Sequence, residues 1–88
     1  MELESLYNAV RSNKYETKLS YKTDRAAARV DQDLLLLKFM NDLRVALRGE
    51  GVPDQYIAKV ASLAWQEGHS FGFSEVLNHA SNLTEIFQ

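Results

Sequence analysis

Six basic side chains, Arg11, Lys14, Lys18, Lys22, Arg25 and Arg29, cluster in a short stretch opposed only by Glu16 and Asp24. Tyr15 and Tyr21 lie among them, and Tyr7 stands just ahead. Cations at this density neutralise phosphate oxygens, and rings set between them stack on bases, so the segment has the residue types of a nucleotide or single-stranded nucleic-acid site. Its local balance is +4, yet the whole chain carries −2, which leaves −6 for the remainder and a sequence pI near 5.6. Dedicated nucleic-acid domains are basic as a whole, so a partner nucleic acid is not expected. A nucleotide or other phosphorylated small molecule suits the patch better, with Tyr7, Arg11, Lys14, Lys18, Lys22 and Arg25 as candidate contacts. The preferred reading is plainer: a solvated connector whose tyrosines pack on neighbouring helices.

The two histidines, His69 and His79, sit near Glu67 and Glu75, and Glu75 and His79 share a helix face at i, i+4. A metal needs three or four converging ligands, and the HExxH spacing is missing, so no metal and no cofactor are expected. Beside the glycines, His69 is expected to cap or hydrogen-bond at a bend. No serine, histidine and acid combination has local support, and the chain reads as non-enzymatic.

WQEGHSFGFSEV is the most unusual local stretch. Gly68 and Gly72 stand four apart and match neither the GxxxxGK[ST] nor the GxGxxG phosphate-binding pattern. On a continuous helix they would open a groove for close backbone approach. A close helix crossing is the expected use; alternatively, exposed Trp65, Phe71 and Phe73 would mark a hot spot for a partner.

The frame for these residues is small. With 88 residues, 45% hydrophobic, 25% charged and no cysteine, the chain makes one domain, residues 1–88, held by its core without disulfides or thiolate metal sites. Its composition is not that of a disordered chain. No apolar run reaches the roughly 18 residues of a membrane span, and MELESLYNAV is unlike a signal peptide. A complete cytoplasmic protein with no membrane contact is expected. There is no internal repeat and no low-complexity tract.

Neither glycine nor proline interrupts the stretch between Arg25 and Arg48, which is rich in helix formers. It predicts a central helix over 24–48, with Thr23 or Asp24 as N-cap and Gly49 as left-handed C-cap. Leu35, Leu36, Phe39, Met40, Leu43, Ala46 and Leu47 form one broad apolar face, and Ala27, Val30, Leu34 and Leu37 a separate stripe. A helix apolar on two sides needs two neighbours, so a homo-oligomer, a dimer through this helix, is expected beside the alternative of a self-contained core. After GEGVPD, a second long helix over 53–87 is expected to run antiparallel to the first. Its apolar face shifts by roughly 100° across Gly68 to Gly72, about one residue of rotation. The arm therefore kinks there, or breaks and restarts with Ser74 as cap. Ahead of the central helix, residues 1–23 read as a short helix carrying Leu3, Leu6, Tyr7 and Val10 on one face, then an extended connector with strand-like alternation at Tyr15, Thr17, Leu19 and Tyr21. The fold class is all-α: a short N-terminal helix, a connector and a long helical hairpin.

The segment AWQEGHSFGFSEVLNHASNLTEIF resembles small accessory proteins encoded by bacteriophages, in its Gly-His-Ser, Gly and Glu-Val succession. That resemblance covers about a quarter of the chain. It implies an inhibitor of host machinery or of antiviral defence that acts by occupying a host protein's surface. Tyr15, Lys18, Tyr21 and Lys22 on the connector, with Trp65, Phe71 and Phe73 near the bend, are the candidate partner-binding residues.

Overall fold

A computed structural model describes the backbone of residues 2–12, 14–15 and 25–87, and the side chains of 2–12, 14–15 and 33–87. Every regular element among the described residues is helical: α1 (Leu3–Arg11), α2 (Arg25–Gly49), α3 (Asp54–Gly68), α4 (Phe73–Thr84) and a closing 3-10 turn, Glu85–Phe87. The all-α expectation therefore holds. Most of the expected connector, including the Thr23 or Asp24 cap, lies outside the described residues. Where its first residues are described they are not extended: Ser12, Lys14 and Tyr15 are in turns, and the Lys14 N–H donates to the Ala9 carbonyl at 3.1 Å. The chain wraps the end of α1 there.

α1 folds on the spacing of its apolar residues: Leu3 and Leu6 are buried, and Tyr7 and Val10 pack half-buried beside them. α2 buries Phe39, Leu43, Ala46 and Leu47, each fully. Burying a Phe or Leu side chain of this kind contributes about 1.5–3 kcal/mol, so this half of α2 anchors the core. The helix runs one residue further than expected, and its left-handed stop is Gly51, with φ +91°, instead of Gly49. The Val52 N–H donates to the Leu47 carbonyl and the Gly51 N–H to the Arg48 carbonyl, both at 3.1 Å, the paired bonds of a Schellman cap. Val52, 3% exposed, supplies the apolar contact that accompanies that cap.

The second arm is broken: α3 ends at Gly68 and α4 begins at Phe73, with Gly72 at the N-cap position and Ser74 inside the first turn, not the cap. α4 does not prolong α3 but folds back along it. Tyr56 near the start of α3 meets Phe87 with ring centroids 5.4 Å apart, while Gly68 at the end of α3 touches Val76 early in α4. Small buried residues, Ala61, Ala64 and Gly68 on α3 and Ala80 on α4, let the two helices approach, and this is the most extensive helix pairing. α1 packs on α2 and α4 but not on α3, and α2 packs on α3. The Leu3 N–H donates to Glu50 Oε1 at 3.2 Å, and Tyr15 reaches Phe39, so α1 lies antiparallel to the C-terminal half of α2. The four helices thus alternate in direction, with short turns between α2, α3 and α4. The exposed ion pair of Arg48 and Asp54, 3.1 Å apart, spans the α2–α3 turn.

Candidate functional site

The corner between α3 and α4 positions the most exposed aromatic ring among the described residues. α3 closes when the His69 N–H donates to the Trp65 carbonyl at 2.9 Å, and the His69 ring bonds the same oxygen through Nδ1–H at 2.8 Å. Its imidazole stacks on the Trp65 indole, centroids 5.2 Å apart. His69 is thus spent on ending a helix, the capping role its place beside the glycines indicates. The Phe71 N–H donates to the Gly68 carbonyl at 3.0 Å, and Gly72, with φ +115°, re-aims the chain into α4. A Cβ on Gly68 would fall 2.5 Å from the Val76 nitrogen, so only glycine lets the second helix start this close to the first. Between these fixed points Phe71 is held 79% exposed.

Behind Phe71 lies an aromatic cluster. Phe73 stacks on Phe39 with centroids 4.2 Å apart and planes 11° from parallel, and Tyr15 stands edge-on to both, 5.5 Å from Phe39 and 6.1 Å from Phe73. Stacked and edge-to-face pairs are the favoured geometries for rings of this quadrupole. The Tyr15 hydroxyl donates to Asp42 Oδ2 on α2. Burial, then the hydrogen bond to Asp42 and its negative charge, hold the Tyr15 phenol well above its ordinary pKa, so it stays protonated. Between the end of α1 and the start of α4 a cavity of about 220 Å³ opens, lined by Val10, Tyr15, Phe71, Gly72, Phe73 and Ser74.

These placements revise the expected contact set. Tyr15, an exposed contact in the partner-binding reading, is 6% exposed and belongs to the core, in line with the plainer reading in which the connector tyrosines pack on the helices. The reason is the turn after α1, which brings its ring to Phe39 and its hydroxyl to Asp42. Trp65 and Phe73 are half-buried, and of the three aromatics near the bend Phe71 alone is fully exposed. Lys18, Tyr21 and Lys22 lie outside the described residues, as does the Arg25 side chain. Of the proposed phosphate contacts, Arg11 and Lys14 are exposed, with the Arg11 guanidinium 5.9 Å above the half-buried Tyr7 ring.

Sequence reasoning missed Asp42, whose partner is 27 residues away, and Glu50, whose partner is 47 away. Asp42 is one acid at the edge of an apolar face and Glu50 one acid in the turn after α2, and no local spacing marks either. It also missed a second groove, lined by Asn41, Arg44, Val45, Arg48, Asp54, Ile57 and Ala58 between α2 and α3. Among the described residues no three His, Asp or Glu side chains converge as a metal site would require, and no helix is long and apolar enough to cross a membrane.

A protein-family profile matches residues 2–88, under the description family of unknown function (DUF8546). Neither the curated proteins nor the solved structures contain a match.

Proposed function

We propose that this chain, which belongs to the family of unknown function DUF8546, is a non-enzymatic interaction protein that binds a host-cell protein and blocks it. Phe71 carries the proposal. An exposed phenyl ring costs free energy in water unless a partner covers it, and aromatic anchors set among well-packed neighbours are the residues that dominate interface energies. The turn that presents it is fixed by Gly68, by the His69 cap and by Gly72, so little conformational freedom is lost when a partner docks. Half-buried Trp65 and Phe73 stand at the same corner, their ring centroids 6.4 Å apart. Lys18, Tyr21 and Lys22, outside the described residues, are further candidate contacts from the sequence alone. Tyr15 acts from behind, holding Phe73 in place. The likeness of the C-terminal segment to phage accessory proteins supports a host target in the cytoplasm, such as an antiviral defence factor.

Affinity capture from host lysate, comparing the wild type with Phe71→Ala and with a control change at exposed Glu85, tests the proposal. A stoichiometric protein retained by wild type and by the Glu85→Gln variant, and lost with Phe71→Ala, is the expected result. Equal retention by all three would remove Phe71 from the site.

One observation favours a second reading. The cavity beside Tyr15 joins an exposed ring, Phe71, to the start of α4, whose first N–H groups have no side-chain cap, and exposed Lys14 is the next residue to Tyr15. Rings, free amides and a cation are the parts that hold a nucleotide or other phosphorylated small molecule. Such a ligand would raise the thermal midpoint by mass action, and less so with added salt or with Lys14→Ala or Arg11→Ala. A panel of mono-, di- and cyclic nucleotides that leaves the midpoint unchanged refutes this reading.

A further inference from the structure

α2, with 25 residues, is the longest helix. It begins at Arg25, while the first fully buried side chain described on it is Phe39, about 21 Å further along at 1.5 Å per residue. Just ahead of Phe39, Leu34 and Leu37 are 58% and 65% exposed. Their spacing continues a three-four alternation: Ala27, Val30, Leu34, Leu37 and Asn41 fall on a and d positions of one heptad register. In that register Phe39, Leu43 and Ala46 occupy f and c positions and face the protein's own core, so Leu34 and Leu37 point away from it, with exposed Asn41 at the edge of the α2–α3 groove.

The flanking positions carry charge of the right sign. Asp33 is at g and Lys38 at the following e, both exposed. In a parallel two-stranded coil each g residue meets the partner's next e residue. An antiparallel coil sets g against g and e against e, so Asp31 would meet Lys38 but Asp33 would meet no cation. It also sets a against d, leaving the Asn41 amide facing Val30, whereas the parallel coil sets Asn41 on Asn41. Lys38 lies with its ammonium 5.8 Å from the Tyr15 ring centroid, a contact that leaves its side chain exposed.

We propose that the outer face of α2 is the seam of a parallel two-stranded coiled coil between two copies of this chain. Leu34 and Leu37 pack on their counterparts, Asp33 of each copy pairs with the partner's Lys38, and the two Asn41 side chains hydrogen-bond across the seam and set its register. Arg44, at the next d position, ends the seam by like-charge repulsion, and the two bundles diverge from there. Two heptads are short for an isolated coil, but here the helix grows from a segment already held by the core, so the cost of nucleation falls away. This interface is separate from Phe71 and does not depend on the function proposed for it.

Sedimentation equilibrium of the full chain is expected to give a dimer in the micromolar to hundred-micromolar range. Leu37→Lys, at a surface position, is expected to give a monomer with unchanged helical circular dichroism. Asp33→Lys and Lys38→Glu should each weaken the dimer, and the double exchange should restore it. Since the chain has no cysteine of its own, Asn41→Cys reports orientation: a parallel in-register dimer cross-links through this residue on mild oxidation. A monomeric wild type, or a dimer indifferent to Leu37→Lys, overturns the proposal; a dimer that fails to cross-link at residue 41 overturns its parallel register. Phe71→Ala should leave the dimer intact, which keeps failure here distinct from failure of the target-binding reading.

Discussion

The Tyr15 hydroxyl donates a hydrogen bond to the Asp42 carboxylate, joining the turn after α1 to the middle of α2. This bond and the Leu3 to Glu50 contact at the other end hold α1 against α2. Removing the hydroxyl with Tyr15→Phe leaves a half-buried carboxylate without its donor, and a bond to a charged group of this kind is worth about 1–3 kcal/mol. Urea unfolding at neutral pH should register a loss in that range with an unchanged m-value.

The same contact gives a pH dependence. Folding raises the Tyr15 pKa above its ordinary value of 10.0, so the folded state keeps the proton that the unfolded chain releases. The contribution is complete below pH 10 and declines as the pH rises beyond it toward the folded-state pKa. Comparing wild type with Tyr15→Phe from pH 7 to pH 11 cancels the other titrating groups. The stability gap between them should narrow above pH 10.

Gly68→Ala is expected to be the most damaging single-methyl addition. Its Cβ would meet backbone atoms of Glu75 and Val76 at 2.5–2.7 Å, and backbone cannot swing aside as a side-chain tip can. Overpacking of this kind costs about 1–3 kcal/mol. Gly51→Ala meets no neighbouring atom and suffers only the strain of a positive φ, about 1 kcal/mol. Thermal or urea denaturation of the pair should rank them in that order.

Phe71→Ala should leave stability within about 0.5 kcal/mol, because the ring is already in water. Arg48→Ala should be similarly mild, since the ion pair with Asp54 is 70% and 78% exposed. A large loss in either, by urea denaturation, would show a packing role that their exposure does not indicate.

Glu50→Ala removes the acceptor of the Leu3 N–H at the start of α1. The expected loss is about 1 kcal/mol, as for other missing caps. Amide exchange should speed up in α1 and leave α3 and α4 unchanged.

Much of the helical frame was legible because period 3.6 and helix breakers are local signals. α2 lacks glycine and proline up to Gly49, and the wheel separated Phe39, Leu43, Ala46 and Leu47 from Leu34 and Leu37 as the burial does. Spacing alone points to a stop two residues early, because Gly49 and Gly51 both follow the last apolar residue of the helix. Val52 was the discriminating signal, since an apolar residue just after the left-handed glycine completes the cap. At Gly68 to Gly72 the phase shift of the apolar face correctly marked a discontinuity, but not that α4 folds back on α3. Reversal depends on how near Val76 comes to Gly68, a distance with no imprint on spacing. That Tyr15 packs on the helices is the plainer reading of the connector, but which residues it meets was illegible for a similar reason. Its partners Phe39, Asp42 and Phe73 belong to distant stretches, while its lysine neighbours in sequence suggested solvent.

The pairing of α3 with α4 across a four-residue corner is assembled from contacts close in sequence, whereas α1 is held by bonds spanning 47 and 27 residues. Local contacts close cheaply and early, and distant ones later. The protein should therefore collapse first around the α3–α4 corner and the end of α2, with α1 docking last and releasing first. Hydrogen exchange would register this as a ladder of opening energies, lowest along α1.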